Sequence, residues 1–130
     1  MRIREKQCPF AEGSDRRLGE IHLTKEEYAM LHYERRRQTL TVRLQDELDH
    51  NSAVRLRGEL DELLRDGSIR RLVLDLKELS FMDSSGVGFI IGRYKVMARR
   101  GGSVAVMNAD RQMDRIFKMS GLYELVERLA

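Results

Sequence analysis

Cysteine, proline and tryptophan are nearly missing from this 130-residue chain, which has one Cys, one Pro and no Trp. The lone Cys8 forms no intramolecular disulfide and builds no cysteine-based zinc site. Long apolar runs are missing too; none approaches the roughly 20 residues of a membrane-spanning helix. Met1-Arg2-Ile3-Arg4-Glu5-Lys6 leads into no apolar stretch of the kind a secretory signal carries. Neither sign of charge dominates: Lys+Arg is 24 and Asp+Glu is 21, for a net charge of +3. The pI of about 9.2 hints only weakly at nucleic acid. The bases are interleaved with acids, their largest block is Arg35-Arg36-Arg37, and Asp46, Asp49, Glu59, Asp61, Glu62 and Asp66 oppose a basic face. With 42% hydrophobic and 35% charged residues, the composition is that of one globular domain. The expectation is a cytoplasmic protein without metal or cofactor, with neither nucleic acid nor membrane as partner.

The patterning divides the chain near residue 38. Residues 1–37 read as an N-terminal extension without sustained periodicity, and residues 38–130 as the domain. Leu40, Val42 and Leu44 alternate with Thr41 and Arg43 as a half-buried strand. Asp49-His50-Asn51-Ser52 supplies helix-capping residues, and Ala53, Leu56, Leu60, Leu63 and Leu64 follow at helical spacing. Leu72, Val73, Leu74 and Leu76 form a buried strand. Val87, Ile90, Ile91, Tyr94, Met97 and Ala98 make a second helical stripe, ended by Gly101-Gly102, and Val104 and Val106 mark a third strand. Met113, Ile116 and Phe117 mark a third helix that closes near Gly121. Leu122, Leu125, Val126 and Leu129 are spaced as a final short helix, with Leu125-Val126 also readable as a strand. Alternating β-α-β-α-β-α order predicts an α/β fold, an open sheet with helices packed on it.

The stretch richest in chemistry is Leu72 to Lys95. There a buried strand gives way to Asp83-Ser84-Ser85-Gly86-Val87-Gly88 at the start of an amphipathic helix. Asp and Ser are good N-caps, and the free N–H groups and partial positive charge of a first turn favour an anion. Gly86 and Gly88 remove bulk there, so a partner's backbone or a phosphate could approach closely. Equally, plain capping and tight helix–sheet packing account for the same residues. Three enzymatic patterns fail. No Lys stands directly before a Ser as a phosphate loop needs. Gly86-x-Gly88 supplies two of the three glycines of a dinucleotide fingerprint. A serine-hydrolase elbow needs Gly two residues before its Ser, and Met82 and Asp83 stand there instead.

Phe81-Met82-Asp83-Ser84-Ser85-Gly86-Val87-Gly88, followed by Gly92-Arg93-Tyr94-Lys95, resembles the anti-sigma F factor antagonists of endospore-forming bacteria, which are single STAS domains. Glu47-Leu48-Asp49-His50-Asn51-Ser52-Ala53, Leu72-Val73-Leu74-Asp75-Leu76 and Phe117-Lys118-Met119-Ser120-Gly121-Leu122 resemble further segments of that family. The likeness covers roughly residues 38–126. The D-S-S-G-x-G pattern is common to many STAS antagonists, while the other segments favour the sporulation type over a general-stress one. The resemblance implies an open mixed β-sheet of about four strands with helices mainly on one face. It implies a non-enzymatic protein, monomeric when free, that binds an anti-sigma factor and so frees a sigma factor. The anti-sigma factor, itself a serine kinase, would phosphorylate Ser84, and a serine phosphatase would reset it. By the same resemblance Glu47, Asp49, Asp83, Ser84, Ser85, Gly86, Gly88 and Arg93 are expected to contact the partner.

Three departures stand out. Asp46 occupies a position where the family usually has Gly, the chain stops at Ala130 before the family's longer closing helix, and about 30 residues precede the first strand. Met30 lies at the usual distance before that strand. Lys25-Glu26-Glu27 can be encoded as a purine-rich ribosome-binding sequence, so translation is expected to begin at Met30, with residues 1–29 contributing little to the core; the alternative is a regulatory tail or an additional docking segment.

Overall fold

The computed structural model describes residues 32–129. In order these are β1 (His32–Arg36), β2 (Thr39–Leu48), α1 (His50–Leu63), β3 (Arg71–Met82), α2 (Ser84–Arg99), β4 (Ser103–Met107), α3 (Arg111–Ser120), a single 3-10 turn (Leu122–Glu124) and β5 (Glu127–Leu129). The strands form one mixed sheet in the order β1-β2-β3-β4-β5. β1 and β2 are an antiparallel hairpin whose turn holds Arg37 at φ 56, and the remaining neighbours are parallel.

Each parallel step needs a crossover. α1 carries the chain from β2 to β3, and α2 from β3 to β4. Leu40, Val42, Leu44 and Leu48 of β2 and Leu72, Leu74 and Leu76 of β3 meet Leu56 and Leu60 of α1, Ile90 and Met97 of α2 and Phe117 of α3 in one buried core. Each such side chain contributes on the order of 1.5–3 kcal/mol when fully buried. β3 is also buried along part of its other face. There Asp75 accepts hydrogen bonds from the Lys77 backbone N–H at 3.0 Å and from Asn108 Nδ2 at 2.9 Å. α3 ends at Gly121, whose φ of 79 is a left-handed position that costs glycine little.

Three expectations change. The sheet has five strands rather than about four. The domain boundary at residue 38 falls too late, because His32–Arg36 pairs with β2 from His32↔Arg43 to Arg36↔Thr39. This edge strand hides in sequence because Tyr33 is its one apolar residue, packed against the core. The final helix shrinks to the 3-10 turn and a short strand, with Leu122 and Val126 buried and Leu125 exposed. The expected extension over residues 1–29 and the start at Met30 lie outside the described residues. Among the described residues no helix is long and apolar enough to cross a membrane.

Candidate functional site: a rim of paired helix caps

β2 and β3 reach the same edge of the sheet in register, with Glu47 opposite Phe81 and Leu48 opposite Met82. The next residue of each strand is an aspartate that starts a helix. Asp49 and Asp83 have nearly the same extended backbone, φ −115 in both, with ψ −170 and −166. Asp49 Oδ1 accepts from the Ser52 backbone N–H at 3.0 Å, while Ser52 Oγ accepts from the Asp49 N–H at 2.9 Å, a reciprocal capping box. Asp83 Oδ1 accepts from the Ser85 N–H at 2.8 Å, and the Asp83 N–H donates to the Leu48 carbonyl at 3.4 Å. Two helix N-termini therefore emerge side by side at the carboxyl ends of adjacent parallel strands, the edge where open α/β sheets bind ligands. The hydrogen bond from the Ser52 N–H holds the Asp49 carboxyl below its ordinary pKa.

Ser84 is the first residue of α2 and lies exposed beside its cap, Asp83. Glu47, also exposed, stands on the same rim. A register shift precedes it, between Asp46 and Glu47, where Asp46 takes φ 67 and its carbonyl accepts from Ser80 Oγ at 2.8 Å. Asp46, in the position expected to carry Gly, thus holds a left-handed backbone that Asp tolerates better than most residues.

The structure brings Glu47, Asp49, Asp83, Ser84 and Ser85 together, but it gives two expected contact residues other roles. Gly86 is buried, and a Cβ there would fall 2.3 Å from Met82 Cγ and 3.2 Å from Leu48 Cδ2, so its missing side chain serves packing rather than a partner's approach. Arg93 is only 4% exposed. Its Nη1 lies 2.7 Å from Asp61 Oδ1 and donates to the Arg57 carbonyl at 3.4 Å, and its guanidinium sits 5.6 Å from the centre of the Phe89 ring. Arg93 is first of all a clamp between α1 and α2. Gly88, by contrast, is exposed, and a Cβ added to it would meet no atom of the described residues within 4 Å. It borders a groove of about 240 Å³ between α1 and α2, with Ser85 and Gly92 on the same side and His50 and Arg57 opposite. Residue patterns gave no sign of Arg57 and Asp61, which look like any charges on a solvated helix face. Among the described residues no group of three or more His, Cys, Asp or Glu is placed to hold a metal ion.

This sheet, its crossover helices and its paired-cap rim define a STAS domain, and the STAS domain model matches residues 30–130. The chain belongs to the STAS domain family, and within it to the anti-sigma factor antagonists, which are regulatory binding proteins rather than enzymes. It is 42% identical over 93 residues to an anti-sigma F factor antagonist of Paenibacillus polymyxa, covering 72% of this chain and 80% of the relative. It is 33% identical over 88 residues to an anti-sigma-B factor antagonist of Bacillus subtilis, covering 68% and 79%. Among solved structures it is similar to the anti-sigma factor antagonist SpoIIAA in its unphosphorylated form. The TM-score is 0.68 at 29% identity, over 77% of this chain and 88% of that one. It is also similar to the Bacillus cell fate determinant SpoIIAA in the phosphorylated form, at TM-score 0.63 and 30% identity, over 77% and 91%.

Proposed function

We propose that this protein binds an anti-sigma factor of the serine-kinase type, frees a sporulation sigma factor, and is switched off by phosphorylation of Ser84. The observation that carries this reading is the exposed Ser84 hydroxyl at the N-terminus of α2, on a rim shared with Glu47, Asp49 and Asp83. A phosphate adds about −1.5 to −2 charges near neutral pH. A helix N-terminus tolerates that charge, while a surface docked on the rim meets new bulk and repulsion. The switch is then local to an interface and leaves the fold in place. Ser85 is the poorer acceptor, because it is half-buried and borders the α1–α2 groove while Ser84 is exposed. A serine phosphatase resets the phosphoprotein, which works as a cytoplasmic monomer between partners.

The direct experiment is incubation with ATP and an anti-sigma F factor kinase, followed by mass-spectrometric mapping. Phosphate on Ser84, absent in Ser84→Ala, supports the proposal, and phosphate on Ser85 sinks the assignment. A general-stress antagonist is the second reading, supported by the 33% identity to the anti-sigma-B factor antagonist. The same assay with an anti-sigma-B factor kinase separates the two, since the sporulation reading expects the faster reaction with the F-type kinase.

A further inference from the structure

The groove between α1 and α2 has an electrostatic character opposite to that of the rim beside it. Its lining includes His50, Arg57 and Arg93 and no carboxylate, whereas Glu47, Asp49 and Asp83 crowd the rim. Arg93 is only 4% exposed, yet its Nε has no hydrogen-bond partner among the described residues. Asp61 contacts Nη1 and leaves the Nε edge unpaired. Burial lowers the Arg93 pKa most, Asp61 raises it, and the nearby Arg57 charge lowers it again. Asp61 already offsets the charge of Arg93, so what stays unmet is its buried Nε–H, beside the positive charge of Arg57, and an added carboxylate would answer both. The approach is open as well: no atom of the described residues lies within 4 Å of a Cβ added to Gly88 or to Gly92, one helical turn apart.

We propose that this groove receives an acidic side chain, Asp or Glu, of the protein that docks on the Ser84 rim. The inference rests on the reading of that rim as a docking surface and adds the partner's chemistry: a carboxylate for the groove, next to cationic groups for the rim. Charges of opposite sign at adjacent points fix the register of a docked surface and exclude partners lacking the pattern. Phosphate at Ser84 disturbs the rim half and leaves the groove half as it is.

The test measures affinity of the full chain for the anti-sigma factor that phosphorylates Ser84. Arg57→Glu should weaken binding about tenfold or more, and Arg57→Ala by a smaller factor, while Arg57→Lys stays within about threefold of the parent. Melting temperatures should stay within a few degrees, since Arg57 is exposed. Gly92→Met fills the groove from a helix position where Gly is unfavourable. It should bind at least about tenfold more weakly while melting no lower than the parent, a combination that a purely structural role does not produce. If the parent binds and is phosphorylated while Arg57→Glu and Gly92→Met bind equally well, the inference is overturned. It is overturned too if those variants keep full partner affinity and inorganic phosphate alone shifts the Arg93 side-chain NMR signals. If the parent neither binds nor accepts phosphate, the docking reading itself fails.

Discussion

Gly86 rests on Met82. A Cβ on Gly86 would lie 2.3 Å from Met82 Cγ and 2.7 Å from its Sδ, closer than a Cβ sits to a non-bonded carbon or sulfur. Met82 is itself buried and is the last residue of β3, so it has little room to yield. Gly86→Ala should therefore destabilise the domain by about 1–3 kcal/mol through overpacking, despite the gain in helix propensity. Denaturant unfolding reads this directly, and a variant as stable as the parent would show that Met82 can move aside. Gly88→Ala, with nothing near its Cβ, should be neutral or stabilising in the same assay.

Asp46 provides a backbone test. Its φ of 67 suits glycine and, less well, Asp, so Asp46→Gly should change stability by no more than about 1 kcal/mol. Asp46→Val, β-branched in a left-handed position, should cost about 1–2 kcal/mol or more. Equal stability of the two variants would mean that the bulge before Glu47 relaxes.

Tyr123 closes the carboxyl-terminal part of the domain. Its hydroxyl donates to Asp114 Oδ1 at 2.6 Å, and Arg128 and Lys118 pair with the same carboxylate at 3.2 and 3.1 Å. Tyr123→Phe should cost about 1–2 kcal/mol. The Tyr123 hydrogen bond is the main reason the Asp114 pKa is lowered, so that pKa should rise in the variant. An NMR titration with Asp114 unmoved would contradict this assignment.

Acid should loosen the sheet edge at Asp66. Hydrogen bonding from the Ser68 hydroxyl, then from Arg35 of β1, lowers its pKa from 3.8 to about 2. A carboxyl whose pKa is lower in the folded state contributes stability that is complete above its unfolded pKa and lost as pH falls through the folded one. Asp66 therefore contributes above about pH 4 and progressively less toward pH 2. Asp66→Asn should melt lower than the parent at about pH 6 and converge with it near about pH 2. A gap that stays constant with pH would mean the effect is not electrostatic.

Much of this architecture is legible in the residues because burial leaves a period. Leu40, Val42 and Leu44, the stripe from Ala53 to Leu64 and the run from Leu72 to Leu76 reveal the crossover units β2-α1-β3 and onward. β1 and β5 leave no such trace. They are edge strands, and His32–Arg36 has Tyr33 as its one apolar residue. The Asp83-Ser84 helix start is visible because capping is local. The packing of Gly86 on Leu48 and the clamp of Arg93 on Asp61 join residues about 30 or more positions apart, so no local pattern announces them.

Phosphorylation of Ser84 should act on binding rather than on folding. At an exposed helix N-terminus negative charge is stabilised by roughly 0.3–1 kcal/mol, and repulsion from Asp83 and its neighbours is of similar size in water. The two nearly cancel within the monomer. Nothing offsets a desolvated charge across a close interface, which costs several kcal/mol. The decisive measurement is thermal unfolding beside affinity for the anti-sigma factor, for the protein with and without phosphate on Ser84. Affinity should fall by at least a hundredfold while the melting temperature moves by no more than a few degrees. A phosphoprotein that unfolds many degrees lower, or binds as tightly as the unmodified chain, would contradict an interface switch at Ser84.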